Sequence, residues 1–483
     1  MHDAALSRIP RRSWLVLFLG SMTAFVTSLN QSIMSVAFPD LRRSFPNTSD
    51  AELSWVLNAY TIVAGATLIL AAFASGRFGR KRVLLTGMAI FTVAATACTL
   101  APNPRFLIAA RVVQAIGWSM ITPAAIAVIL ADVPAGRRAT AIATWGGVGG
   151  VATALAPSVG AVLIDVGSWR TAFAVSIPFG LFVLVAGSRV FRESAPDELV
   201  RDGWPDPVGA VALMAGVTLV ILGLVQSPRW GWIDLRTAQC LTGGALLIAL
   251  LLWRSARVAR PTLDRRLLGY RNMRLAALLS VLYGTGFFAT SLGLVLFLTQ
   301  VWGYSIVRAG ALITPVAAMV TVLAPIAGRV ADNFGHRALT VPAGVFWCAG
   351  SLWLLVSAHE TPSLLRVWLP AMLLLGAGSG LGWPTIHSLP VIGIPPAQLS
   401  STVATNQTVL RVSGALGVAI AITLISGDTG SSALAPFHRL FALMTISGVF
   451  LGLIGAFVRT SPRDRARSEP AGEQSTAAIQ SNT

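Results

Sequence analysis

GRFGRKR at residues 76–82 is answered far downstream by DNFGHR at 332–337. Both read as two variable residues, Phe-Gly, then a basic pair, and both fall between long apolar stretches. A repeated polar loop inside a hydrophobic chain points to duplicated helical bundles, an architecture that places a substrate site at mid-membrane between two halves. The fold therefore turns on whether the flanking stretches cross a bilayer.

Composition says that they do. The chain has 483 residues, 54% hydrophobic and only 11% charged, with mean hydropathy +0.72. A soluble chain carries about a quarter charged residues, so most of this surface faces lipid. A span needs roughly 20 apolar residues. Reading between charges and turn residues gives fourteen: 14–38, 53–73, 83–101, 106–131, 139–164, 171–188, 208–225, 237–253, 275–301, 309–328, 338–357, 367–389, 402–425 and 440–458. The break between the twelfth and thirteenth rests on SLPVIGIPPAQLSS alone, since no charge occurs from Val367 to Leu410. The first stretch is too long for a signal-peptide core and is read as a retained span.

The net charge of +17 is not a nucleic-acid footprint. With the N-terminus inside, 25 of the 36 Lys and Arg fall in cytoplasmic segments, 9 in outer loops and 2 within spans. That bias places a multi-pass protein in the cell membrane with both termini cytoplasmic. The expected organisation is a cytoplasmic N-terminus (1–13), a six-helix bundle (14–191), a linker with an inserted helix pair (192–274), a second six-helix bundle (275–458) and a disordered cytoplasmic tail (459–483).

Several function classes drop out. A phosphate-binding loop needs Gly-Lys-Ser/Thr, and the single lysine, Lys81, follows Arg80. The five histidines are isolated, and Cys98, Cys240 and Cys348 have no pairing or metal spacing. No catalytic residue, metal or cofactor is implied. A monomeric secondary carrier of a small molecule remains, with a proton gradient as a possible energy source.

Candidate site residues follow from polarity at membrane depth. Arg111 and Gln114 lie one helical turn apart in the fourth apolar stretch, and Asn30 lies deep in the first. Arg111 either faces a cavity, with Gln114 on its face of the helix, or snorkels to the headgroups. Arg411 is read as mid-span or interfacial, depending on the uncertain break. Pro157 interrupts the hydrogen-bond ladder of the fifth span and would bend it. Asp332, with Arg329 and Arg337 nearby and Arg80 in the first loop, is the candidate gate. His387 reads as structural, and Trp118, Trp145, Phe287 and Phe288 as packing or cavity-lining aromatics. All 19 Asp and Glu fall in loops, tails or span ends, Asp132 and Asp165 lying nearest to membrane depth.

These residues carry a family resemblance. GRVADNFGHR at 328–337 resembles the loop motif of the major facilitator superfamily. LNQSIMSVAFP (29–39), RVVQAIG (111–117), ALAPSVGA (154–161) and SWRTAFAVSIPFG (168–180) resemble, in order, segments of its fourteen-span drug:proton antiporter branch. The resemblance covers about residues 10–460. It implies an all-α fold of two six-helix bundles plus an inserted pair, efflux of hydrophobic or amphipathic molecules by alternating access, and a proton-transfer role for Arg111. Two departures stand out: the usual first-helix Asp is Asn30, and the usual first-loop Asp is Gly76. A cavity without a carboxylate and with arginines is neutral to positive. An anionic metabolite or lipid-like cargo is therefore the second reading, and a membrane enzyme or receptor a distant third.

Overall fold

A computed structural model describes residues 10–134, 137–193, 206–258, 261–262, 265–394, 398–426 and 433–458. The expected disordered tail and most of the 192–206 connection lie outside these residues. Helices form the whole of the described architecture: α1 (Arg11–Ser44), α2 (Asp50–Phe78), α3 (Arg80–Thr99), α4 (Pro104–Asp132), α5 (Arg138–Val166), α6 (Trp169–Ala174), α7 (Ser176–Val190), α8 (Pro207–Trp230), α9 (Leu235–Arg254), α10 (Arg271–Gln300), α11 (Ile306–Phe334), α12 (Arg337–Ser357), α13 (Leu369–Ser388), α14 (Leu399–Ser426) and α15 (Ala435–Ala456).

Thirteen stretches among the described residues are long and apolar enough to cross a membrane, with α6 and α7 together making one of them. Helix α5, 29 residues with no charge between Arg138 and Asp165, is a further helix of spanning length. It runs as one element through position 157. Most helices begin before the reading between charges: α1 at Arg11 rather than 14, α10 at Arg271 rather than 275 and α15 at Ala435 rather than 440. Arginines in the first turns of α1 and α10 find backbone acceptors. Arg12 Nη2 donates to the Val190 carbonyl at 3.5 Å and Arg271 Nη2 to that of Phe457 at 2.9 Å.

Local chemistry sets the helix ends. Ser49, Asn103 and Ser305 accept backbone N–H bonds from Glu52, Phe106 and Arg308, and Asn103 is followed by proline at the first helical position. Such caps satisfy donors that the first turn leaves open. Gly79 (φ 96°, ψ 139°) ends α2 and Gly335 (φ 85°, ψ 168°) ends α11. A side chain would be strained in either conformation, so the two Phe-Gly loops repeat in backbone as they do in sequence.

One apolar core is drawn wholly from residues 276–458 and another wholly from 29–173. A third combines α1–α4, α7 and α8 with Ala404 and Ala415 of α14. The two groups of helices meet where α5 packs against α11. Added methyls on Gly147 and Gly150 would press on Ala324 and Val320, each at 3.2 Å. Small residues permit such close helix approach in lipid.

The inserted pair sits to one side. Helix α8 packs on both α2 and α14, and the Trp232 indole beyond its end donates to Thr423 Oγ1 at 2.6 Å. Helix α9 packs on α8, and its residues are largely exposed.

Candidate functional site

Two polar layers lie along the contact between the helix groups. The first is at the end carrying the Phe-Gly loops. Asp332, near the end of α11, accepts from the Thr140 backbone N–H at 3.0 Å and from its hydroxyl at 2.6 Å. Thr140 is in the first turn of α5, where open N–H groups and the helix dipole favour a negative charge. The carboxylate thus caps a helix of the other half. Arg329 and Arg337, its neighbours in sequence, are exposed.

An apolar plug backs this contact. Leu17, Ile126, Ile129, Ile142 and Trp145 pack with Val391, Ile394, Leu399 and Val403 in one buried cluster. His387 lies beside it, with its ring 6.1 Å from that of Trp145 and Nδ1 2.8 Å from the Trp383 carbonyl. Residues from both halves therefore exclude water at this end.

Arg80, the first-loop gating candidate, is buried and stays with its own half. It lines a cavity of about 240 Å³ with Asp132, Arg192 and Glu193. Around it, Arg82 pairs with Glu193 at 3.5 Å, and Lys81 donates to the Ser188 carbonyl at 2.7 Å.

The second layer is deeper and contains the two intramembrane arginines. Arg111 is 1% exposed. Its Nε donates to the Val56 carbonyl at 3.1 Å, and Nη1 donates to Asn30 Oδ1 at 3.1 Å and Gln114 Oε1 at 2.7 Å. The guanidinium lies 4.1 Å from the Tyr60 ring centre and 5.7 Å from that of Phe173. A central arginine costs about 2.5–3.5 kcal/mol on insertion scales. Hydrogen bonds to charged groups contribute about 1.5–3 kcal/mol each, so three of them hold Arg111 in place without an ionic partner. It does not snorkel; its head is turned into the protein.

Asn30 is oriented at both ends. Its oxygen accepts from Arg111, and Nδ2 donates to Ser176 Oγ at 3.0 Å. A carboxylate here would neutralise Arg111, whereas the amide fixes its position and leaves its charge.

Arg411 lies near the middle of α14, which settles its position in favour of a mid-helix site. Its Nη1 donates to Gln31 Oε1 at 3.2 Å, and its guanidinium sits 4.2 Å from the Trp118 ring centre. Gln31 is on α1 and Trp118 on α4, so Arg411 reaches from one half into the other. Tyr60 lies within electrostatic reach of both arginines.

The structure brings together Asn30, Arg111 and Gln114, with Arg411 close by, and places Asp332 separately at the loop end. Sequence reasoning missed Gln31, Tyr60, Ser176 and Thr140. Gln31 and Ser176 lie within the quoted segments at 29–39 and 168–180, but nothing local marks Tyr60 or Thr140. Phe287 stacks on Tyr283 at 5.6 Å and meets Phe288 edge-on, within an aromatic cluster of the C-terminal half.

Two groups of membrane-length helices, joined through a buried polar centre and an inserted pair, define a helical membrane carrier. The family model of the Major Facilitator Superfamily matches residues 20–418 and 276–481, and the chain belongs to that superfamily. It is 28% identical over 425 residues to the tetracenomycin C resistance and export protein of Streptomyces glaucescens, covering 87% of this chain and 77% of the relative. It is 29% identical over 468 residues to the cephamycin export protein CmcT of Amycolatopsis lactamdurans, covering 94% of each. The fold matches the proton:xylose symporter XylE with a TM-score of 0.64 at 15% identity, over 92% of this chain and 95% of that one.

Proposed function

We propose that the protein is a secondary active exporter of hydrophobic or amphipathic small molecules that works by alternating access. The observation that carries this reading is the asymmetric contact between halves. Asp332 and the apolar plug shut the loop end, while the two-arginine layer lies deeper along the same contact. Substrate would reach that layer from one side at a time as the halves rock. The export relatives support the direction of transport.

In this reading residues 14–191 and 275–458 are the two moving bundles, and the pair within 192–274 stands outside the transport core. The loop end and both termini face the cytoplasm of the cell membrane, in keeping with the distribution of basic residues. The carrier acts as a monomer. A proton gradient would supply energy, and Arg111 is the residue through which coupling would pass.

Everted vesicles test the proposal with neutral, anionic and cationic dyes under an imposed proton gradient. Vesicles containing the protein should accumulate at least one dye class above control vesicles and lose it when the gradient is collapsed. Equal signals with and without the protein, across all three classes, would overturn the reading.

A further inference from the structure

We propose that Arg111 and Arg411, with Gln31, Gln114 and Tyr60, form a docking site for the anionic head, a carboxylate or sulfonate, of an aromatic amphipathic cargo. The inference rests on the export reading and names the substrate class of the same site.

Three observations carry it. First, the two guanidiniums come from opposite halves, Arg111 lying over the Tyr60 ring and Arg411 over the Trp118 ring. Arg411 sits on Trp118, which is two helical turns from Arg111 on α4, or about 10 Å of rise. Second, their acceptors are neutral. Arg111 donates to Val56, Asn30 and Gln114 and Arg411 to Gln31, and among the described residues no ion pair of either with a carboxylate is found. Each intramembrane cation therefore lacks a counter-charge among the described residues, and an anion would supply one.

Third, donors are left over. Gln114 Nε2 and Tyr60 Oη are buried, at 0% exposure for both residues, and have no hydrogen-bond partner among the described residues. Of the five N–H donors of Arg411, one is engaged among the described residues, on Gln31. Thr408 Oγ1, one turn before Arg411 on α14, is also buried and without a partner among the described residues. Unused donors beside two cations match the acceptor-only chemistry of a carboxylate or sulfonate. Trp118 and Tyr60 are buried beside the guanidiniums, and their rings would line the path of the aromatic body when the halves part.

The site also connects binding to movement. An anion that engages Arg111 on α4 and Arg411 on α14 bridges the halves, so its presence is felt by both. A permanently cationic molecule meets two fixed positive charges instead.

The test uses purified full-length protein and three naphthyl probes of similar size: 2-naphthoate, its neutral amide 2-naphthamide, and the cation trimethyl(2-naphthylmethyl)ammonium. Binding is read by titration calorimetry in detergent. The naphthoate should bind at least tenfold more tightly than either of the others. Arg411→Gln and Asn30→Asp should each weaken naphthoate at least tenfold and leave naphthamide within twofold. The first removes one cation, and the second supplies an internal carboxylate that neutralises the other. Arg111→Gln should act alike; if it does not yield monodisperse protein, the other two variants decide.

Equal or tighter binding of the amide or the cation overturns the proposal, as does absence of naphthoate binding at millimolar concentration. So does a naphthoate affinity that Arg411→Gln leaves within twofold. Efflux of the neutral dye Nile red, measured in parallel in everted vesicles, separates the two ideas. Persistent efflux alongside any of those results would leave the exporter standing and remove only its anionic cargo.

Discussion

The two Phe-Gly loops end their helices in the same backbone geometry, at Gly79 and Gly335, yet they engage different parts of the molecule. The first loop is tied to its own half through Arg82 with Glu193 and Lys81 with Ser188. The second sends Asp332 across to Thr140 of the opposite half. One position decides the difference: Gly76 stands where Asp332 has its counterpart. The repeat holds two equivalent turns, and of this aligned pair of positions one carries a carboxylate, which reaches the opposite half.

The largest expected effect follows from removing that carboxylate. Asp332→Asn keeps an acceptor but loses the charge at the start of α5. A cost of about 1.5 kcal/mol, or roughly tenfold in the closed-to-open ratio, is expected. Transport at matched surface expression should fall about as much, while Gly76→Ala stays within about twofold. Comparable loss from both would erase the contrast between the loops.

A smaller effect is expected from Thr140→Val, which removes the hydroxyl donor and keeps the backbone N–H. One hydrogen bond contributes about 1 kcal/mol, so transport should fall by less than in Asp332→Asn. Combined with Asp332→Asn, it should add little, because both changes act on one contact. Full additivity in the double variant would argue against a shared role.

Gly79→Ala and Gly335→Ala sharpen what the loops share rather than how they differ. Each forces a side chain into a conformation that costs of order 1–3 kcal/mol. Both should lower the thermal unfolding midpoint by similar amounts. A loss at one position only would mean that the two turns are not structurally equivalent.

The smallest effect lies outside both loops, in the inserted pair. Arg254 makes a bidentate contact with Asp206 at the start of α8, and this hydrogen bonding holds the Asp206 carboxyl below its ordinary range. A depressed carboxyl contributes stability above the unfolded value, about 3.9, and loses it as pH falls through the lower folded value. Asp206→Asn should therefore lower the unfolding midpoint slightly at neutral pH, with the difference shrinking in acid. Transport should stay within about twofold of the native rate. A large transport loss would bring the inserted pair into the mechanism.

Much of the fold was legible because lipid leaves a plain imprint on sequence: long apolar stretches, basic clusters at one end and a repeated loop. Helix starts were less legible. Charge is read as the edge of each span, but α1 and α10 take arginines into their first turns, where Arg12 and Arg271 donate to nearby carbonyls. Within the site, Asn30, Arg111 and Gln114 could be singled out because polar side chains in apolar helices need partners. Tyr60, Ser176 and Thr140 could not, since each residue type is ordinary in a helix and its role depends on another helix arriving beside it. Arg411 fell between the two cases: its charge was conspicuous, but its depth depended on a helix boundary that only SLPVIGIPPAQLSS marked.

The contact of Asp332 with α5 is tested most directly by a distance across the loop end. Spin labels at Ala131→Cys and Asn333→Cys, with Cys98, Cys240 and Cys348 replaced, would be measured by pulsed electron resonance in lipid nanodiscs. The protein with Asp332 should give a dominant short distance. Asp332→Asn should shift population toward a longer one, whereas Gly76→Ala should leave the distribution unchanged. The same distribution with Asp332 and with Asn at that position would contradict closure by the second loop.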